Sequence, residues 1–305
     1  MLVLPMSKTM LTRIGERVAY GQATDADEDA LEAALLVYDR VREAVWQRLR
    51  GVDWGAALGR DADLNVTSRT KSRGTILDKI QREERFQLGR IHDLAGVRLD
   101  GAMCLDEQDR VAARICELFP DDPKLKDRRP DPTMGYRALH VIVRIDALPC
   151  EVQVRTHLQH SWANLYEAIG DVLGRWIRYP DAPMPDDLQA NRDMVGGIVA
   201  AMRKLSQRIA TLEQDWNNLR RNTALVADVD FVADAVASGL ATAGRPEPDA
   251  SAVSEVPIDR LVPRLQGALR ELELELQGMT EPLDQGTAAI RAMSSRSGDV
   301  STSPG

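Results

Sequence analysis

Hydrophobic positions along the chain change period several times, and each change marks an element. Residues 7–20 read as a short helical lead. Thr24 stands where a helix N-cap would, followed by Asp25, Asp27 and Glu28, acids that favour the positive end of a helix dipole. Leu31, Leu35, Tyr38, Val41, Val45 and Leu49 recur at three- and four-residue steps, which predicts an amphipathic helix closed at Gly51. Residues 54–64 read as a connection. From Asn65 the pattern shortens. Residues 66–69 predict a short strand and residues 73–84 a helix. Residues 94–103 predict a strand so poor in polar side chains that it reads as buried on both faces. Asp106 reads as the cap of a helix that runs to Phe119 and stops at Pro120. A charged loop, residues 126–136, leads into a strand at 139–145 and a turn around Pro149. Residues 158–172 are again helical.

After that turn, Glu151, Gln153 and Arg155 alternate with Val152 and Val154. Side chains on a strand point to opposite faces with period two. One face therefore packs on a core, and the other presents a carboxylate, an amide and a guanidinium in a row. A plain solvent-facing edge shows the same alternation, and the flanking sequence favours a site. Pro180, Pro183 and Pro185 mark a linker. Beyond it Ile198, Met202, Leu205, Ile209, Leu212, Trp216 and Leu219 form a heptad-like seam, which suits either packing on its own domain or a dimerising coiled coil. Residues 223–243 and 261–276 read as further helices, with a Pro/Ser/Glu-rich stretch at 244–257 between them. From Pro282 the tail is small and polar, a composition that does not build a core. Strands mixed with helices in this order predict an α+β fold, a mixed sheet flanked by helices and followed by a helical C-terminal region. The expected divisions are N-terminal helices at 1–59, a core at 60–178, a helical region for oligomerisation or regulation at 186–280, and a disordered tail at 281–305.

Composition narrows the class. The chain has 305 residues, 44% hydrophobic and 28% charged, long enough for one large domain or two smaller ones. A net charge of -8 argues against broad coating of nucleic acid and leaves room for a local basic patch. Cys104, Cys116 and Cys150 lack metal-ligand spacing and read as thiols of a reducing compartment. No apolar run approaches the roughly 20 residues that span a bilayer. The start lacks a signal peptide's charged and apolar segments. The expectation is a soluble cytoplasmic protein with no membrane partner.

Four clusters carry chemistry. Arg69 and Lys71 lie two apart at the end of a strand, and Thr75 and Lys79 lie four apart on the next helix. Three cations and a hydroxyl at a strand-to-helix junction suit a polyphosphate, and a solvated basic edge carries the same residues. His92-Asp93 sits at the mouth of a hydrophobic strand, where a lone Asp caps a turn or ligates a metal. The 126–136 loop carries Lys126, Arg128 and Arg129, then Gly135 and Tyr136, a tyrosine placed to stack on a flat base. Glu151-x-Gln153-x-Arg155 supplies a second carboxylate. Two carboxylates on two core strands, Asp93 and Glu151, can hold Mg²⁺ against phosphate oxygens. The sequence has neither G-x-x-x-x-G-K-[ST] nor G-x-G-x-x-G, so it carries neither a P-loop nor a Rossmann phosphate site.

The ordered segments R-T-K-S-R-G-T-I-L-D-K, I-H-D-L-A-G-V-R-L, K-D-R…M-G-Y-R-A-L-H-V-I-V and E-V-Q-V-R-T-H-L-Q-H-S-W-A resemble the synthetase domain of the RelA/SpoT family of alarmone synthetases, over roughly residues 60–172. The resemblance implies a nucleotidyltransferase-like mixed sheet and a small, single-function (p)ppGpp synthetase. Such an enzyme moves the β,γ-pyrophosphate of ATP onto the ribose 3′-OH of GDP or GTP. It implies Arg69 against the ATP adenine, with Lys71 and Lys79 on the ATP phosphates and Thr75 where the family has serine. Asp93 and Glu151 would be the Mg²⁺ carboxylates, with Glu151 also orienting or deprotonating the 3′-OH. Tyr136 would stack on the acceptor guanine, and Lys126 and His140 would line the acceptor site. Gln153 and Arg155 would support Glu151 and nearby phosphates. Arg98 and Arg110 are the candidates for a second adenine-facing arginine. Relatives of this size form homo-oligomers through terminal helices.

Departures from the family pattern fall on the acceptor side. The loop is one residue shorter than the family's. Thr133 replaces a lysine, Met134 an asparagine and Asn164 a glutamate. The resemblance thus implies pyrophosphate transfer more firmly than the acceptor. A toxin-type relative that modifies the 3′ end of tRNA, or adenosine nucleotides, is the alternative. The basic residues at 124–129 favour tRNA and the acidic net charge opposes it. His-Asp hydrolysis needs a further histidine upstream, and His92 is the first of only 4 in the chain. A non-catalytic, degenerate domain would be expected to lose its metal carboxylates first, and both are present.

Overall fold

The computed structural model describes residues 1–60, 62, 64–70, 73–82, 87–179, 182–184, 186, 189, 192–237 and 274. The chain divides into two compact units, Met1–His160 and Ser161–Gly305.

The first unit opens with helices α1 (Lys8–Ala19), α2 (Asp25–Arg50) and the short α3 (Trp54–Leu58). A capping box starts α2. The Asp27 amide donates to Thr24 Oγ1 at 3.2 Å, and the Thr24 amide donates back to Asp27 Oδ2 at 3.1 Å. Its stripe Leu31, Ala34, Tyr38, Val41, Val45 and Leu49 is buried, and Gly51 closes it. Arg17 on α1 pairs with Asp27, which ties the first two helices together. The expected connection at 54–64 contains α3, because Asp53 accepts from the Ala56 amide as an N-cap.

The strands are β1 (Asn65–Thr70), β2 (Ala95–Gly101), β3 (Lys124–Asp127), β4 (Leu139–Ile145) and β5 (Leu148–Thr156). Helix α4 (Arg73–Arg82) follows β1, and α5 (Leu105–Leu118) follows β2. The sheet order is β1-β2-β5-β4-β3. Only the β2–β5 pair is parallel, which makes the sheet mixed. This is the α+β architecture that the sequence pattern predicts.

One sheet face builds the core. Val97, Leu99, Leu139, Val141, Val143, Cys150, Val152 and Val154 have no exposed surface and join the buried stripes of α1, α2 and α5. Each such aliphatic side chain contributes roughly 1.5–3 kcal/mol on full burial.

Four local expectations need correction. β2 is not buried throughout on both faces, because Gly96 and Arg98 are half-buried and alternate with buried Val97 and Leu99, while Asp100 on their side is buried. Cys104, not Asp106, caps α5, and its amide donates to Glu107 Oε2 at 2.9 Å. The start of the charged loop is strand β3, which pairs Lys126 with His140. The β4–β5 turn is at Asp146 (φ 50°) and Ala147 (φ 65°), and Pro149 lies inside β5 opposite Arg144. Two successive left-handed residues make a two-residue hairpin. Ala147 hides it in the sequence, because alanine has no left-handed preference.

Helix α6 (His157–Leu173) begins at the end of the first unit. In the second unit Trp162 stacks on Tyr166 at 4.8 Å and donates its indole N–H to the Met202 carbonyl at 2.8 Å. Helix α7 spans Arg192–Ala237 without a break, so the separate helix expected from residue 223 is part of it. Met202, Leu205 and Ile209 of the heptad seam are buried. The side chains of Trp216 and Leu219, the stretch at 244–257, the helix expected at 261–276 (apart from Leu274) and the tail lie outside the described residues. Among the described residues no helix is long and apolar enough to cross a membrane.

Candidate active site

The other sheet face is polar, and the strand register lays it out in rows. Directly paired residues share a face. One row runs Arg69, Gly96, Glu151, Ile142, Lys124. The next runs Thr67, Arg98, Gln153, His140, Lys126. The third holds Asn65, Asp100 and Arg155. Gly96 adds no side chain beside Glu151. The Arg69 backbone therefore faces Glu151 across an uncovered position, at two strand spacings or about 10 Å.

Five side chains close a hydrogen-bonded ring on this face. His140 Nδ1 lies 3.1 Å from Glu151 Oε1, and His140 Nε2 lies 2.8 Å from the Tyr136 hydroxyl. Arg155 Nη2 donates to the Tyr136 hydroxyl at 3.0 Å and to Gln153 Oε1 at 2.8 Å. Gln153 Nε2 donates to Glu151 Oε2 at 2.9 Å and completes the ring. The Arg155 guanidinium also sits over the Tyr136 ring, 5.1 Å from its centroid. Glu151 and His140 keep 13% and 11% of their side-chain surface exposed, enough to meet a ligand. Arg155 is buried. Burial pushes the Tyr136 hydroxyl above its ordinary pKa against the pull of Arg155, which keeps it a phenol.

The other expected residues fall around this ring. Asp93 is half-buried in the turn that enters β2, three residues before the Gly96–Glu151 pair. His92 is held below its ordinary pKa by burial first and by Lys126 and Arg144 next. Lys126 is exposed on β3. Thr75 and Lys79 are half-buried one turn apart on α4. The Arg69 side chain and the whole of Lys71 lie outside the described residues. Of the two further arginines, Arg98 lies on the polar face. Arg110 is on α5, near Glu107 and the Leu58 carbonyl.

Asp93 precedes β2, and Glu151 lies on the neighbouring strand β5; both carry hard oxygen donors. Among the described residues no group of three or more His, Cys, Asp or Glu could hold a metal. Mg²⁺ is commonly held by one or two carboxylates completed by substrate phosphate oxygens, and carboxylates are the donor type that such an ion takes.

Sequence reasoning missed two features, the buried Asp100 beside His160 and the anchoring of Arg129. Asp100 is buried, accepts from Asn65 at 3.4 Å and lies 3.2 Å from His160 Nδ1. Burial holds His160 below its ordinary pKa, and Asp100 opposes that shift. The alternation V-R-L-D in β2 carried the signal for Arg98 and Asp100. Arg129 does not reach the polar face as a free cation. It pairs with Asp109 at 2.7 Å and Asp127 at 2.8 Å, and donates to Gln108 at 3.1 Å. It thereby anchors the loop to α5, a long-range contact with no sequence signature.

A polar sheet face that carries a hydrogen-bonded carboxylate beside Arg98 and Lys126 has the charge and donor types that suit a phosphate ligand. Residues 68–169 match the family described as the region found in RelA / SpoT proteins. A protein of Mycobacterium tuberculosis (strain H37Rv), named uncharacterized protein Rv1366, is 36% identical over 222 residues, 70% of this chain and 77% of that protein. An uncharacterized protein of Mycobacterium bovis, Mb1401, matches to the same extent. Among solved structures, small alarmone synthetase 1 from Bacillus subtilis bound to its product pppGpp is 18% identical with a TM-score of 0.47, covering 63% of this chain and 97% of that one. A GTP pyrophosphokinase family protein from Streptococcus pneumoniae is 18% identical with a TM-score of 0.41, covering 59% and 91%. The chain belongs to the RelA/SpoT family.

Proposed function

We propose that the chain is a pyrophosphokinase that moves the β,γ-pyrophosphate of ATP onto the ribose 3′-hydroxyl of GDP or GTP, releasing AMP. The observation that carries this reading is the placement of Glu151 in a chain of this family. His140 and Gln153 meet both its oxygens, and it shares a sheet row with Arg69. The 3′-oxygen attacks the β-phosphorus, the bond from that phosphorus to the oxygen bridging the α-phosphate breaks, and AMP leaves with the electron pair. The hydroxyl proton passes to a Glu151 oxygen. Asp93 and Glu151 would hold Mg²⁺, which when bound neutralises charge on the transferred phosphates. Arg69, Lys71, Thr75 and Lys79 bind ATP, with Arg98 as the further arginine on that side. Tyr136 stacks on the acceptor base through the ring face opposite Arg155. Lys126, His140, Gln153 and Arg155 line the acceptor side. Positioning and charge neutralisation do most of the work, as in other phosphoryl transfers.

The exposed Lys124 and Lys126 on edge strand β3 favour a second reading, transfer to the 3′ end of tRNA. One assay separates the two. The full chain is given Mg²⁺ and ATP labelled at the γ-phosphate, with GDP, GTP, GMP and deacylated tRNA offered in parallel. Label on GDP or GTP is the expected result. Label only on tRNA would move the acceptor to RNA, and no label on any acceptor would overturn both readings.

A further inference from the structure

Arg155 dictates the direction of the hydrogen bonds around the ring. A guanidinium donates and never accepts. The Tyr136 oxygen therefore accepts from Arg155, and its own proton is then available to His140 Nε2. In a neutral imidazole that accepts that bond at Nε2 the proton is on Nδ1, facing Glu151 Oε1. On the other arm Arg155 holds the Gln153 carbonyl, which turns the amide nitrogen toward Glu151 Oε2. With that tautomer, every bond in both arms points from the buried cation to the carboxylate.

We propose that Arg155, the Tyr136 hydroxyl, His140 and Gln153 form one positioning device that keeps His140 in its Nδ1–H tautomer and holds both oxygens of Glu151 in a single orientation. The tyrosine thus has a task for its hydroxyl that is separate from anything its ring does. The consequence for turnover rests on the proposed pyrophosphate transfer; the tautomer does not.

Burial argues for the device. Arg155 is 2% exposed, and its Nε and Nη1 have no hydrogen-bond partner among the described residues. Burying a cation carries a desolvation cost, and an aliphatic residue at this position would pack without it. The two bonds from Nη2 are what the charge achieves here. Without the Tyr136 hydroxyl, His140 is free to carry its proton on Nε2. The bare Nδ1 lone pair would then face a carboxylate oxygen, and Glu151 would turn away from it.

The test uses the full-length, metal-free protein and ¹⁵N imidazole spectra, with the His140 signals assigned against a His140→Gln variant. The expected wild-type state is Nδ1–H, and Tyr136→Phe, which keeps the ring, shifts His140 toward Nε2–H. Arg155→Lys keeps the cation but loses the fork, and is expected to shift the tautomer in the same direction. In steady-state assays Tyr136→Phe lowers kcat about 10- to 100-fold while the acceptor KM changes less than about threefold. An Nε2–H signal in the wild type, or a Tyr136→Phe spectrum like the wild type, would overturn the proposal. So would a Tyr136→Phe defect confined to KM, which would give the tyrosine a binding role alone. A chain that transfers to no acceptor fails the proposed function, and the spectra still decide the device.

Discussion

The two faces of the sheet are made by the same strands and follow different physics. On β5, Cys150, Val152 and Val154 face α2 and α5 and are fully buried. Glu151, Gln153 and Arg155, interleaved with them, build the ring on the other side. The apolar face is held by area removed from water, which is non-directional and tolerates swaps of similar volume. The polar face is held by directed bonds, in which each group needs one particular partner at one distance. A change on the first face should therefore cost stability and spare chemistry. A change on the second should cost chemistry and spare stability.

The comparison breaks most sharply at Glu151→Gln. The amide keeps the size but presents a donor where one of its two donor partners already stands. Transfer should fall by about 10²- to 10⁴-fold, with the melting temperature near that of the wild type. A matching loss of stability would mean that the ring serves the fold. The mirror experiment is Leu99→Ala on the apolar face. It should cost about 2–5 kcal/mol in a urea titration, with activity per folded molecule retained. Met134 tests the loop that carries Tyr136. It sits at φ 54°, a left-handed conformation that asparagine tolerates and methionine does not. Met134→Asn should stabilise the chain by up to about 1 kcal/mol and slow proteolysis of residues 128–138. Lower stability in that variant would show that the methionine side chain offsets its backbone strain.

Two smaller effects sharpen the contrast. Burial would raise the Asp127 carboxyl, but its bonds from Arg129 outweigh that and hold it below its ordinary value. A depressed folded pKa stabilises above the unfolded value, near 4, and that contribution is lost as pH falls through the folded value. Loop anchoring should be complete at pH 7 and fail only in acid, read by proteolysis of the loop across pH. The apolar face should also seal its thiol. Burial pushes the Cys150 thiol strongly up, and Cys104 is buried too, while Cys116 is half-buried. A thiol reagent should modify Cys116 first in the native protein and reach Cys150 only on unfolding. Early labelling of Cys150 would show that this face opens.

Much of the fold is legible in the amino-acid sequence. The cap at Thr24, the stripe of α2 and the alternation of β5 are local patterns, because helix and strand periods are properties of neighbouring residues. Strand β3 is not legible in that way. Lys124–Asp127 has every side chain exposed and exists as a strand because β4 offers it an edge. Strand β2 is legible as a strand, and its V-R-L-D alternation marks a polar side, but only pairing with β5 places Arg98 and Asp100 beside Gln153 and Arg155.

Sequence by itself determined which residue types carry chemistry and on which side of their own strand they fall, because side-chain direction on a strand depends only on position along it. Tertiary structure alone decided that these residues meet. Tyr136 comes from a loop, His140 from β4, and Glu151, Gln153 and Arg155 from β5, and only the register of β4 on β5 brings His140 level with Gln153. The direction of the ring's hydrogen bonds follows from one buried guanidinium, and burial belongs to the whole fold, not to any segment of the chain.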